Sequence, residues 1–193
     1  MGFAAGADTA TIPPQQQALN VTCNEMTQAI STFRINWRQV LIHFIGMCLF
    51  IYAFQILVYL LDIKLVETIR NSTDKEVIPN LENNGTTITD IFNFSIKVGI
   101  SGFIGLFFAF LISLAISLRK RWGWFTSVLT FLLVFLFYKL GILASASITE
   151  YFLTGTRLLK NIVVEYALWG CLFLIIGLFA FISKPSLRFI SGR

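Results

Sequence analysis

Lys139 is the residue best placed to do chemistry, because it falls inside a long apolar run where its ammonium meets little water. An ionisable group in such a position marks an ion, substrate or proton pathway by default. Its cost does not forbid insertion: a central lysine loses about 3 kcal/mol, while each surrounding Leu, Ile, Phe or Val gains about 0.3–0.6 kcal/mol. On a helical wheel Lys139 shares a face with Val128, Leu132, Phe135, Leu143 and Ala146, whereas Ser127, Val134, Tyr138, Gly141 and Ser145 form a smaller, more polar face. Three readings follow. The stem snorkels roughly 7–8 Å to the outer surface, the ammonium pairs with Glu165 near the outer end of the next apolar run, or Lys139 serves transport or catalysis. Snorkelling is the leading one.

Gln55, deep in the first apolar run, is expected to donate a hydrogen bond between helices, worth about 1 kcal/mol. His43 is the only histidine, so neither paired axial haem ligands nor a multi-histidine metal site is available, and an interfacial role is expected. Cys23, Cys48 and Cys171 are isolated, which offers neither a zinc site nor a vicinal redox pair, and the last two read as small core residues. Asp62, Glu150 and Glu165 lie near the ends of apolar runs rather than at their centres, which argues against a proton relay. The chain has no GxSxG, HExxH or Walker loop. No catalytic, cofactor-binding or metal residues are therefore expected, and no cofactor.

These residues must be positioned by apolar helices. Of 193 residues 56% are hydrophobic and 13% charged, too little polar surface to cover a water-soluble globule. The apolar runs predict spans at about 40–61, 94–118, 125–148 and 162–183. The expected fold is all-α, a polytopic membrane protein with a bundle of four transmembrane helices and an N-terminal amphipathic helix. Residues 1–21 read as a disordered tail, and residues 22–193 as a single transmembrane domain. The Met-Gly start does not fit myristoylation, because Gly6 stands where that motif wants Ser or Thr.

Thr22 and Glu25 have capping-box spacing, and Met26, Ile30, Phe33, Trp37 and Val40 follow at helical steps. This segment is either an amphipathic helix at the interface or the first turns of the first span protruding from the bilayer. The first helix is expected to continue past the membrane through Leu65, Val66 and Ile69. Residues 62–93 form the one long loop, with Val77, Ile78, Leu81 and Ile88 available to pack it onto the helix ends. Thr87 or Thr89 caps the second helix, Arg119–Trp124 turns it into the third, and Lys184-Pro185 stops the fourth.

Along the second span Ser101, Gly105, Ala109, Ser113 and Ser117 repeat at steps of four, a small-residue ridge that brings helix backbones together, within the bundle or against a partner helix. A permeation path lined by Ser101, Ser113 and Ser117 is the alternative. The words Ile104-Gly-Leu-Phe and Ile176-Gly-Leu-Phe recur in the second and fourth spans, which run the same way, as a parallel duplication requires. The first and third spans show no matching similarity.

Charge sorts the boundaries. Arg34, Arg38, Arg119, Lys120, Arg121, Lys184, Arg188 and Arg193 fall on one side with few acids, whereas the other side mixes its Lys and Arg with most of the carboxylates. Short cytoplasmic loops retain Lys and Arg, so both termini are expected in the cytoplasm and the long loop outside, in a plasma or inner membrane. The sequons at Asn71, Asn84 and Asn93 then lie outside. The bases flank apolar spans instead of forming a stripe with interleaved aromatics, so the expected partners are the bilayer and a membrane protein or a second copy, not nucleic acid. The expected role is a non-enzymatic scaffold or accessory subunit, with a small oligomeric transporter or channel as the alternative.

Overall fold

The computed structural model describes residues 35–73, 75–143 and 158–192. The expected tail, the capping box at Thr22 and the amphipathic stretch up to residue 34 lie outside the described residues, as do positions 144–157. All regular elements among the described residues are helices.

Helix α1, Trp37–Val58, starts where Asn36 adopts an extended backbone and its side chain accepts hydrogen bonds from the amides of Arg38 and Gln39. A 3-10 turn, Tyr59–Asp62, leads into α2, Ile63–Asn71, so the helical rod runs well past the apolar run. Within the loop lies α3, Val77–Asn83. There Leu81 is buried and Val77 packs beside it, whereas Ile78 and Ile88 stay exposed. Helix α4, Ile88–Arg119, begins at a capping box of Thr87 and Asp90. It is followed by α5, Trp124–Lys139, by α6, Ile162–Ile182, capped by Asn161, and by α7, Lys184–Ser191, capped by Ser183 with Pro185 in its first turn.

Three rods are long and apolar enough to cross a membrane: Trp37–Asn71, Ile88–Arg119 and Ile162–Ile182. Helix α5 is apolar but has 16 residues. At 1.5 Å per residue it covers about 24 Å of a hydrocarbon core about 30 Å thick. It ends short of the expected residue 148 because Gly141 takes a left-handed backbone, φ 74°. The amides of Gly141 and Ile142 turn back onto the carbonyls of Tyr138 and Phe137, a Schellman stop past which the helix cannot run on unbroken.

Helix α1 is the hub. Helices α4 and α6 run antiparallel to it, and α5 runs parallel, in contact with both α1 and α4. Phe50 stands at two of the close approaches. A β-carbon on Gly105 of α4 would lie 2.6 Å from the Phe50 carbonyl oxygen, and one on Gly177 of α6 would lie 2.8 Å from the Phe50 ring. The repeated Ile-Gly-Leu-Phe word thus places its glycine against Phe50 from two different helices. Farther along α6, Gly170 approaches Leu57 and Ala53 in the same way.

The two ends of the assembly differ in charge. Every described carboxylate, Asp62, Glu67, Glu76, Glu82, Asp90 and Glu165, lies toward the end that carries α2 and α3. The opposite end carries Arg38, Arg119, Lys120, Arg121, Lys184 and Arg188.

Candidate functional site

At the basic end, three helices meet through short polar side chains. Gln39 on α1 donates from Nε2 to Ser117 Oγ of α4 at 2.7 Å and to Ser127 Oγ of α5 at 3.2 Å, and the two serine hydroxyls lie 2.7 Å apart. One turn farther along α1, His43 Nδ1 is 2.6 Å from Ser113 Oγ. Asn36 binds this knot to the rim: its backbone amide donates to Thr126 Oγ1 of α5 at 3.4 Å, and its side-chain amide to the Ile190 carbonyl of α7 at 3.1 Å.

His43 therefore faces the interior between helices. It is fully buried, with the Phe181 ring packed edge-on at 5.3 Å between centroids. The Ser113 and His43 pair has the atoms of a nucleophile and base. Both are fully buried, and the pair joins α1 to α4.

The small-residue ridge lies on the same face. Ser101, Gly105, Ala109, Ser113 and Ser117 are all buried. Ser101 and Ser117 bond carbonyls of their own helix, which satisfies their hydroxyls while leaving the ridge smooth. Nearer the loop end Gln55 donates to the Tyr138 hydroxyl at 3.4 Å, and that hydroxyl donates to the Gly99 carbonyl at 2.7 Å, so α1, α4 and α5 are joined a second time.

At the loop end Glu165, fully buried on α6, accepts from Arg70 Nη2 of α2 at 2.8 Å and from the backbone amide of Leu158 at 3.3 Å. The Arg70 guanidinium also lies 5.9 Å from the Tyr166 ring centroid. Lys139 is elsewhere: it sits exposed in the last turn of α5, outside the ion pairs of the described residues. A cation there complements the helix dipole. On α5, Ser127 and Val134 are buried and Lys139 is exposed, while Phe135 and Leu143, expected on the Lys139 face, pack partly against the core and Gly141 is exposed. A second, exposed ion pair joins Lys97 of α4 to Asp62 at 2.7 Å. Beside it an open polar cleft of about 990 Å³ lies between α2 and α3, lined among others by Glu67, Asn71, Asn80 and Asn84.

One cysteine behaves as expected and one does not: Cys48 is partly buried and packs against the core, whereas Cys171 is exposed on α6. Among the described residues no group of His, Cys, Asp and Glu is arranged to hold a metal ion. No family model matches this chain, and neither a curated protein nor a solved structure matches it.

Arg70, Gln39 and Ser127 escaped sequence reasoning as partners of the site. Gln39 and His43 stand four residues apart, one turn of one face, which is a usable signal. The Arg70 pairing across 95 residues carries no local signal.

Proposed function

We propose that the chain is a four-span integral membrane protein that serves as a non-catalytic scaffold or accessory subunit of a membrane assembly, with both termini in the cytoplasm of a plasma or inner membrane. In this reading α5 is the third span. It lies along α4 from Ser127 beside Ser117 to Tyr138 beside Gly99, and so covers much of the height of the long helices. Interfacial tryptophans at Trp37 and Trp124, both exposed, support a boundary at the basic end.

The observation that carries the functional reading is how the interior polar groups are used. Gln39, His43 and Gln55 each bond across to a neighbouring helix, so the interior polar side chains join helices. Meanwhile α6 packs on α1 through its glycine face and leaves Leu168, Leu172, Ile175, Ile176 and Phe179 exposed, a surface for lipid or a partner helix. The second reading, a small oligomeric transporter, is favoured by one fact: among the described residues Gln39 Oε1, His43 Nε2 and Gln55 Oε1 are buried without a hydrogen-bond partner.

Purification of the full chain in a mild detergent separates the two. A stable heteromeric complex supports the accessory role. A homo-oligomer that passes solute in liposomes contradicts it and supports transport.

A further inference from the structure

The six basic side chains of the basic end are drawn from segments far apart in sequence, and the polar knot holds these segments together. Arg38 is next to Gln39 and two residues from Asn36, while Arg119, Lys120 and Arg121 lie within four residues after Ser117, which Gln39 binds. Lys184 and Arg188 stand one turn apart on α7, whose Ile190 carbonyl accepts from Asn36 and whose Ile190 side chain is buried. The Arg38 guanidinium lies 5.5 Å from the Phe189 ring centroid and donates to the Phe189 carbonyl at 3.5 Å. Among the described residues no carboxylate stands at this end, and none of the six bases is in an ion pair. Such a rim repels itself and draws an anion.

The α4–α5 turn supplies a separate observation. Helix α4 ends in a Schellman motif: the Arg121 amide donates to the Leu118 carbonyl at 3.2 Å, and the Trp122 amide to the Ser117 carbonyl at 2.9 Å. The residue between the helix cap and Trp122 must be left-handed, and here it is arginine, φ 52°. The equivalent position after α3 is Gly85 and after α5 is Gly141, φ 72° and 74°. Glycine takes this conformation freely and arginine does not. Arg121 is the one described residue other than glycine with positive φ, and it sits on the basic rim.

We propose that this rim is a binding site for the headgroup of an anionic phospholipid, with Arg38, Arg119, Arg121 and Arg188 gripping the phosphodiester. Guanidinium groups match phosphate oxygens through paired N–H donors. The exposed rings of Trp37, Trp124 and Phe189 border the same rim and suit the depth of the glycerol backbone. The inference rests on the four-span reading, which sets this end at headgroup level.

The test is titration of the detergent-solubilised full chain with phosphatidylglycerol, phosphatidylcholine and inorganic phosphate, with bound lipid read by native mass spectrometry and unfolding by a thermal melt. Phosphatidylglycerol is expected to bind at least tenfold more tightly than phosphatidylcholine, and millimolar phosphate is expected not to displace it. Arg119→Gln and Arg188→Gln are each expected to weaken phosphatidylglycerol about fivefold. Arg121→Gly separates headgroup binding from folding, because the two readouts move in opposite directions: lipid affinity falls about fivefold, while the melting temperature without added lipid rises. Equal affinity for the two lipids, displacement by phosphate, or unchanged affinity in Arg121→Gly overturns the proposal. Labelling of Gly123→Cys and Lys160→Cys from opposite sides, tested separately, tells whether the four-span reading stands when lipid selectivity fails.

Discussion

The carbonyl oxygen of Phe50 stands where a β-carbon on Gly105 would come within 2.6 Å of it. The obstacle is backbone, which cannot rotate away, so the distance between α1 and α4 is set by the missing side chain. Gly105→Leu is expected to force the helices apart and to lower the melting temperature in detergent, as overpacking costs about 1–3 kcal/mol. Ser101→Ala, on the same ridge but bonded only to its own helix, is expected to change little. An unchanged melt for Gly105→Leu removes the packing role.

Burial separates the two ion pairs at the loop end. Arg70 and Glu165 are 7% and 0% exposed in their side chains, whereas Lys97 and Asp62 are 47% and 28% exposed. Removing one partner of a buried pair strands the other, so Glu165→Gln is expected to cost about 3–5 kcal/mol. Lys97→Gln is expected to cost at most about 1 kcal/mol and to matter less at high salt. Chemical denaturation of both variants in the same detergent checks the contrast, and similar costs refute it.

Gln39 joins α1 to both α4 and α5 through one amide. Gln39→Leu is expected to lower stability by about 1 kcal/mol. With Ser127→Ala the losses are expected to add to less than their sum, because the two residues share a bond. Strict additivity in a double-mutant cycle contradicts the knot.

Lys139 is exposed in the last turn of α5, where its charge contributes about 0.3–1 kcal/mol through the helix dipole at most. Lys139→Leu is expected to insert, assemble and remain active. Loss of function with normal insertion assigns Lys139 a role in transport or catalysis.

The apolar helices and the hairpin at Arg119–Trp124 were legible because hydropathy and charge at their boundaries are local properties. Thr87 as cap was legible for the same reason. The glycine approaches were visible only in part: the ridge on α4 has a regular step of four, while Gly170 and Gly177 on α6 stand seven apart among large residues. Helix α5 stops at Lys139 although Ile142 and Leu143 continue the apolar pattern, because Gly141 turns the backbone. The partner of Glu165 was out of reach: the apolar pattern through Val66 and Ile69 carries the helix to Arg70, but which residue 95 positions away it meets is decided by tertiary packing.

The central claim is that four helices cross the bilayer with both ends on the basic side. Single cysteines at Asn84, Gly123 and Lys160, in a chain with Cys23, Cys48 and Cys171 replaced, test it with an impermeant maleimide on sealed cells. Asn84→Cys and Lys160→Cys are expected to label from outside, and Gly123→Cys only after permeabilisation. Labelling of Lys160→Cys from the same side as Gly123→Cys would mean that α5 does not cross, and it would contradict the account.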